Sequence, residues 1–380
     1  MSTLHPDLCP PTPPATAATG SRPGYGPHWF SMVMGTGMIA IALCSLPIDV
    51  PGLSAVATCF WALSAVLLVV VTAVAFSARR RVPGSFRAHL TDPTLGHFFG
   101  APGIAVLSVG AATLLAGRHV LGLHLAIAVN GALWALGTLI ALGTAVLVPV
   151  TAITRHQYDD ASGHHPPAVG SWLLPLVGPL VSASTGALLV PHLAHTQARE
   201  TLLLGSYALA GASVLTCLVT FAHLWGQLLR HGPGPAMAAP LLWIPLGFLG
   251  QSVTAFGHLA DSAPAVGSTA DLAPAFRAFG VVYGLPVWGC ALAWLAIAVA
   301  LTAHAARLGL AFSLSWWSFT FPLGTVVTAS AALAHSTGLE VFTVVAVALM
   351  VALLTLWAIV AAQTFRLLVP APRALVVRAG

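Results

Sequence analysis

The chain has 380 residues and a mass of 38.9 kDa; 58% of its residues are hydrophobic and 6% are charged, and its mean hydropathy is +0.92. A soluble domain carries about 25% charged residues, because they cover its surface. This composition excludes a water-soluble enzyme and a disordered chain, so most of the chain must lie in lipid. The net charge of +5 comes from scattered arginines, a pattern that indicates membrane topology rather than nucleic-acid binding.

The chain divides into a short tail, a long apolar region and a second short tail. Residues 1–27 are rich in Pro, Ala and Thr and lack the pattern of a secretory signal peptide, so they predict a disordered Pro-rich cytoplasmic tail. Residues 28–368 predict a ten-helix transmembrane transport domain, and 369–380 a short basic cytoplasmic tail. Since a spanning helix needs about 20 apolar residues, we place the spans at 28–46, 53–78, 98–116, 122–147, 169–190, 200–229, 238–258, 275–303, 313–334 and 339–368.

The arginines predict the orientation of these spans. If the N-terminus is cytoplasmic, eleven arginines lie in cytoplasmic segments, and only Arg118, Arg199 and Arg277 lie on the other side. Cytoplasmic loops of membrane proteins carry such an excess of basic residues. The protein is therefore expected to be a multi-pass protein of the plasma or inner membrane with both termini in the cytoplasm.

Spans that are broken by glycine or proline alternate with spans that have few such breaks. The odd spans contain most of the breaks, whereas the second and tenth spans have neither residue in their middles. A proline break frees backbone carbonyls that must be satisfied by protein or cavity water, so kinked odd helices belong inside and smooth even helices face lipid. This predicts an all-α integral membrane protein with five helical hairpins around a central pore, although Gly and Pro are also simply frequent in membrane helices. The main breaks are Gly35 and Gly37 in span one, Pro102 in span three, Pro175 and Pro179 in span five, Pro245 and Gly250 in span seven, and Pro322 in span nine.

The predicted pore chemistry is neutral. No Asp or Glu lies in the middle of a span, which disfavours a cation channel, a cation pump or a carboxylate proton relay. Hydroxyls and freed backbone N–H groups on the broken helices can donate to passing anions, although such hydroxyls also bond their own helix or join helices. The residues predicted to line the pore or kink its helices are Gly35, Thr36, Gly37, Pro102, Pro175, Gly250, Ser252, Pro322 and Thr325.

The 16 histidines raise the question of metal, haem or proton binding. There is no CxxCH motif, and the histidines near spans show no convincing pairing by spacing. Zinc would need acidic or cysteine partners that the spans lack, so no cofactor and no metal site are expected. The alternative that a histidine near a pore mouth binds a proton stays open. The histidines within or near spans are His97, His124, His223, His258 and His335.

Three motifs carry a resemblance to a known family. Span one reads HWFSMVMGTG over 28–37, span five reads WLLP over 172–175, and span nine reads WWSFTFPLGT over 316–325. Together they resemble the tellurite-resistance and C4-dicarboxylate transporter family, which includes TehA-like proteins, malate permeases, sulfite efflux pumps and plant slow anion channels. The resemblance covers nearly the whole chain in the number and order of spans.

The resemblance has implications for architecture and site residues. It implies ten helices in five hairpins around a pore lined by the odd helices, and a homotrimer with one pore per protomer. It also implies a phenylalanine on the ninth helix that plugs the pore, and the matching position is Phe321, rather than Phe319. The chain lacks the long phosphorylatable cytoplasmic domains of the plant members, so kinase gating is not implied.

The expected function is transport without chemistry. The partners are small anions and the lipid bilayer, with no nucleic acid, and the substrate class is a C4-dicarboxylate such as malate, sulfite or an inorganic anion. One alternative is a proton-linked carrier or exporter of organic acids or sulfite. Two others, from different classes, are a haem-binding membrane redox protein and a scaffold or sensor that transports nothing.

Overall fold

In a computed structural model of the protein, residues 25–92, 95–159 and 170–368 are described, so most of the tail 1–27 and all of the tail 369–380 lie outside the described residues. The regular structure in these ranges is entirely helical. We number the ten longest helices in chain order. They are α1 (Phe30–Ser45), α2 (Leu53–Arg81), α3 (Gly100–Ala112), α4 (Leu123–Asp159), α5 (Leu174–Ala187), α6 (Thr196–His231), α7 (Ile244–Ser262), α8 (Ala273–Arg307), α9 (Thr320–Thr337) and α10 (Glu340–Leu368).

Within the described residues, nine helical segments are long and apolar enough to cross a membrane, and the chain is a multi-pass membrane protein. The expected fifth span, 169–190, is not among the nine. It contains α5, whose Gly, Pro, Ser and Thr residues lower its hydropathy, although every residue of α5 except Leu176 is buried. A count of ten spans therefore stays a prediction.

Burial separates the odd helices from the even ones. In the apolar stretches of α1, α3, α7 and α9, 78–94% of the residues are buried, against 11–28% in the five even helices. The even helices instead expose large apolar side chains such as Val69, Leu139 and Val219. Such a surface suits lipid rather than water, and the expectation that odd helices are inner and even helices outer is confirmed.

The five inner helices form a closed ring. Each packs against the next one in chain order, and α9 packs back against α1. Each inner helix also packs against the even helix that follows it, so every outer helix is paired with the inner helix before it. An inner ring surrounded by outer helices is the result.

The inner helices all begin in the same way. A short 3₁₀ segment leads into each, and these five segments also contact one another in a ring. Pro102, Pro175, Pro245 and Pro322 each lie in the first turn of the α-helix that follows. Proline is tolerated there because the first N–H groups of a helix have no partner within it. These four proline breaks thus coincide with the change from 3₁₀ to α winding, whereas Pro179 lies inside α5 and the expected glycine breaks lie inside α1 and α7.

The two ends of the ring differ in charge. The 3₁₀ segments lie beside the last turns of outer helices, since the indole of Trp317 donates to Thr364 of α10 and that of Trp243 to Thr302 of α8. Those last turns carry arginines, and we call this end of the molecule the arginine-rich end. The arginines are Arg79, Arg80 and Arg81 on α2, Arg230 on α6, Arg307 on α8 and Arg366 on α10.

Gly250 allows α7 and α9 to approach each other. A Cβ at Gly250 would lie 2.5 Å from the carbonyl carbon of Thr325. We therefore expect Gly250→Ala to lower the free energy of unfolding by about 1–3 kcal/mol, the usual cost of overpacking. The thermal unfolding midpoint of the detergent-solubilised protein measures this. Gly289→Ala on α8, where a Cβ would meet nothing within 4 Å, is the matched control and should not lower the midpoint. Equal midpoints for both variants would contradict the close approach.

Candidate functional site

A small cavity lies where all five inner helices meet. Its volume is about 20 Å³, which is room for roughly one water molecule. Because every inner helix contributes to its wall, the cavity lies inside the ring that these helices form. The lining residues are Met38 and Ile41 of α1, Ser108 and Ala111 of α3, Val181, Ser184 and Thr185 of α5 with Leu188 beyond it, Gln251, Thr254 and His258 of α7, and Phe321 and Thr328 of α9.

Phe321 lines this cavity and Phe319 does not. Phe321 is 2% exposed and lies in the first turn of α9, next to Pro322. The ring of Phe319 instead packs against Trp243 and Trp316, with ring centroids 4.9 and 5.7 Å away. The two phenylalanines are therefore in different surroundings, one at the centre of the ring of helices and one in an aromatic cluster at the arginine-rich end.

Most hydroxyls around the cavity are already hydrogen-bonded. Ser108 donates to the carbonyl of Ile104 at 2.8 Å, and Thr185 donates to that of Val181 at 2.8 Å. Such bonds to the preceding turn satisfy the hydroxyl proton and leave oxygen lone pairs facing the cavity. These hydroxyls can therefore donate to an anion only if their side chains rotate away from those carbonyls.

Gln251 differs from these hydroxyls. Its side chain is 4% exposed, and among the described residues its amide has no protein hydrogen-bond partner. An amide N–H₂ group facing the cavity is a donor that a passing anion or water can use.

His258 is the second polar group that distinguishes this cavity. Its Nδ1 lies 3.2 Å from the carbonyl oxygen of Ser184 and 3.3 Å from the Ser184 hydroxyl. A carbonyl oxygen only accepts, so Nδ1 carries a proton, and in a neutral ring Nε2 is an acceptor. Sequence reasoning placed His258 near a span without assigning it to the pore. Its spacing of four and seven residues from Thr254 and Gln251, which puts all three on one face of a helix, was the signal that could have found it.

The three predicted glycines lie at close approaches between helices. A Cβ on Gly35 would overlap the hydroxyl of Thr320 on α9, and one on Gly37 would lie 3.3 Å from the Cβ of Ser108 on α3. Gly250 faces α9, as described above. None of the three lines the cavity, and their visible role is packing.

The predicted hydroxyl residues form hydrogen bonds within their own helix, to a neighbouring helix, or both. Thr36 donates to the Met32 carbonyl at 2.7 Å and accepts from the indole of Trp357 on α10 at 3.0 Å. Thr325 donates across to the Leu246 carbonyl of α7 at 3.0 Å. The Ser252 hydroxyl donates to the Leu249 carbonyl at 2.9 Å. These side chains make hydrogen bonds within or between helices, and none of them belongs to the cavity wall.

The predicted prolines lie towards the arginine-rich end. Pro102 borders a surface cavity of about 220 Å³ together with Arg79 and His89. Pro175 and Pro322 are buried in the first turns of α5 and α9. Of the ten predicted site residues, only Phe321 is therefore part of the central cavity wall, and the roles of the other nine stay predictions.

Tryptophans connect the outer helices to the inner ones. In four pairs an indole N–H donates to a threonine or serine hydroxyl, and in three of them an outer helix bonds the inner helix that follows it around the ring or the continuation of that helix. A hydrogen bond of this kind inside a membrane has no competing water, which favours its persistence. The pairs are Trp61 with Thr113 at 2.9 Å, Trp288 with Ser330 at 2.8 Å, Trp317 with Thr364 at 3.0 Å and Trp357 with Thr36 at 3.0 Å.

Metal ligands do not assemble in the described part of the chain. Within residues 25–92, 95–159 and 170–368, no three His, Cys, Asp or Glu side chains come close enough to hold a metal ion. The arrangement that does assemble is a ring of apolar helices around a small, uncharged, hydroxyl- and amide-lined cavity. Its geometry is that of a membrane channel or transporter.

Comparison with known proteins gives the same class. The chain belongs to the SLAC1 family, described as voltage-dependent anion channel, which it matches over residues 24–365. It is 27% identical to the sulfite efflux pump SSU1 of Arthroderma otae over 347 residues, covering 90% of both chains. It is 26% identical to the sulfite efflux pump SSU1 of Trichophyton rubrum, again covering 90% of each. An uncharacterized transporter of Methanocaldococcus jannaschii is 26% identical over 80% of this chain and 82% of its own. The resemblance carried by the motifs is confirmed.

Thr36 tests whether a predicted pore residue acts through packing. We expect Thr36→Val to lower the free energy of unfolding by about 1–3 kcal/mol, because it leaves the partly buried indole N–H of Trp357 without a partner. Thermal unfolding of the purified protein measures the loss. The double variant with Trp357→Phe, which removes both partners, should recover part of it. Failure of the double variant to recover any stability would contradict the assigned hydrogen bond.

Proposed function

We propose that this protein lets small anions cross the membrane through a pore between α1, α3, α5, α7 and α9, with Phe321 as its gate. The observation that supports this most is the central cavity, to which all five inner helices contribute and in which Phe321 lies. An apolar constriction stops hydrated ions by excluding water. With space for about one water molecule, the pore is closed at this point.

The lining of the cavity favours anions over cations. In the described part of the chain no carboxylate belongs to its wall, which instead presents an amide, an imidazole and several hydroxyls. Groups of this kind hold an anion weakly, and weak sites allow fast passage. Transport through such a pore needs no chemical conversion, so we propose no enzymatic activity.

Sulfite is the substrate that the relatives favour. Proteins named sulfite efflux pump match this chain over 90% of its length, and their names concern the same transport class as the proposed pore. C4-dicarboxylates such as malate and inorganic anions also remain candidates, because hydroxyl and amide groups do not discriminate strongly between small anions. We propose sulfite first and test the others beside it.

The arginines and the resemblance support two further parts of the proposal. The arginine-rich end should face the cytoplasm, which places both termini there in a plasma or inner membrane. By family resemblance, three copies should assemble, each with its own pore. The exposed apolar side chains on the even helices provide surface that lipid or neighbouring copies can cover.

A second mechanism is favoured by His258. In a proton-linked carrier, an organic acid or sulfite would move only together with protons, and a titratable group should then lie on its path. His258 lies in the cavity wall. This keeps the carrier as the alternative to a gated channel.

Replacement of Phe321 tests the gate. We expect Phe321→Ala to raise sulfite and nitrate flux into liposomes by tenfold or more, because removing a barrier of about 1.4 kcal/mol already gives a factor of ten. Flux is measured on purified protein first at equal pH on both sides and then under an imposed pH gradient, with chloride and malate as further anions. Phe319→Ala is the matched control. It removes an equally buried ring outside the cavity and should leave flux low.

The outcomes separate the two mechanisms. Equal flux of Phe321→Ala and wild type would show that Phe321 is not a gate. If the wild type moves sulfite or malate only under a pH gradient, and Phe321→Ala is no faster, the protein is a proton-linked carrier. Flux in both phenylalanine variants would indicate loss of packing rather than opening of a gate.

A further inference from the structure

Among the described residues, His258 is the one titratable side chain in the wall of the central cavity. It is partly buried, and its Nδ1 is fixed by the carbonyl of Ser184. The hydrogen bond decides which nitrogen can gain or lose a proton. Nδ1–H is already donated, so Nε2 is the atom at which the ring titrates.

The protonation state of Nε2 changes what the cavity offers an anion. A neutral ring presents a lone pair at Nε2, which repels an anion. A protonated ring presents an N–H donor and a positive charge. Gln251, on the same face of α7, adds amide donors that have no protein partner among the described residues. A cation and an anion buried together are more favourable than either ion alone, because each compensates for the hydration that the other has lost.

We propose that His258 and Gln251 form an anion site in the pore that is filled when His258 is protonated. The site would take a small monovalent anion such as hydrogen sulfite, nitrate or chloride. This proposal rests on the proposed function, since it assigns a binding site within the same pore. One proton binds at Nε2 for each anion held, and no covalent step is involved.

The charged groups on the same helix and on its pore-side neighbours are few. Asp261 lies one turn beyond His258 on α7, is exposed, and interacts electrostatically with the ring. Helix α5, which supplies Ser184, has no titratable residue, and neither has α3. From α1 the cavity receives only Met38 and Ile41. A proton on His258 therefore meets no fixed charge across the cavity.

The remaining helices packed against α7 bring no charge to the cavity either. On α9 the titratable residue is His335, exposed in the last turn. Tyr283 of α8 and Tyr207 of α6 pack on the ring of Phe256, with centroids 4.8 and 6.0 Å away. The charge of the site is thus set by His258 itself and the anion it holds.

Flux of a strong-acid anion tests the proposal, because nitrate stays ionised throughout the useful pH range. In Phe321→Ala liposomes with equal pH on both sides, we expect nitrate flux to rise as the pH falls from about 8 to about 5. At pH values above the one at which the ring titrates, nitrate flux should change about tenfold per pH unit, as expected when one proton binds. Adding His258→Gln, which does not titrate, should flatten the profile. His304→Gln, at an exposed site at the end of α8, should leave the slope unchanged.

Proton uptake provides a second readout that does not depend on the gate. Binding linkage is reciprocal, so nitrate added to wild-type protein in weakly buffered detergent should take up protons. His258→Asn, whose amide nitrogen can replace Nδ1 beside Ser184, should fold, bind less nitrate and take up none. If Phe321→Ala fails to conduct, the assignment of Phe321 as the gate is wrong. Proton uptake still tests the role of His258 in that case. A pH slope that survives His258→Gln, or nitrate binding without proton uptake, would overturn the proposal.

Discussion

Close approach between neighbouring inner helices is the constraint on which the rest of this structure depends. At Gly250 and Gly35 the backbone of one helix lies against side chains or backbone of the next, and no Cβ fits between them. Thr325 adds a hydrogen bond from α9 to the Leu246 carbonyl of α7. Helices held this closely leave only a narrow space at the centre of the ring. The size of the cavity follows from backbone geometry, and the side chains then decide what can enter it.

Hydrogen bonding determines which polar groups remain available in that space. Hydroxyls within a membrane helix bond the preceding turn, as Ser108 and Thr185 do. Thr254 and Thr328 pair with each other across α7 and α9 at 2.8 Å. What is left for an anion is the amide of Gln251 and the imidazole of His258. The proposed pore is rich in hydroxyls in sequence, but few of its polar groups remain unpaired in the described structure.

The sequence was sufficient for the architecture and insufficient for most of the site. Gly and Pro placement separated inner from outer helices because that separation changes composition along whole helices. The direction in which Thr36 or Ser252 points was not predictable, since a helix buried on all sides has no polar face to mark its orientation. Phe321 was predicted through the resemblance of its motif, whereas no motif marks His258, and only its spacing from Thr254 and Gln251 on one face of α7 relates it to the cavity. The prolines were recognised, but their position in a first α-turn depends on where the 3₁₀ segment ends, which composition does not encode.

The tryptophan bonds between outer and inner helices have a consequence for how such a pore could respond to its membrane. Indoles of α2, α8 and α10 attach the outer helices to hydroxyls of the inner ring or its continuation. These bonds, which attach three of the five outer helices, oppose widening of the ring. If the proposed pore opens by rotation of one side chain, its cross-sectional area in the bilayer stays the same. Lateral tension does work only on a change in area, so stretching the membrane should have little influence on its opening.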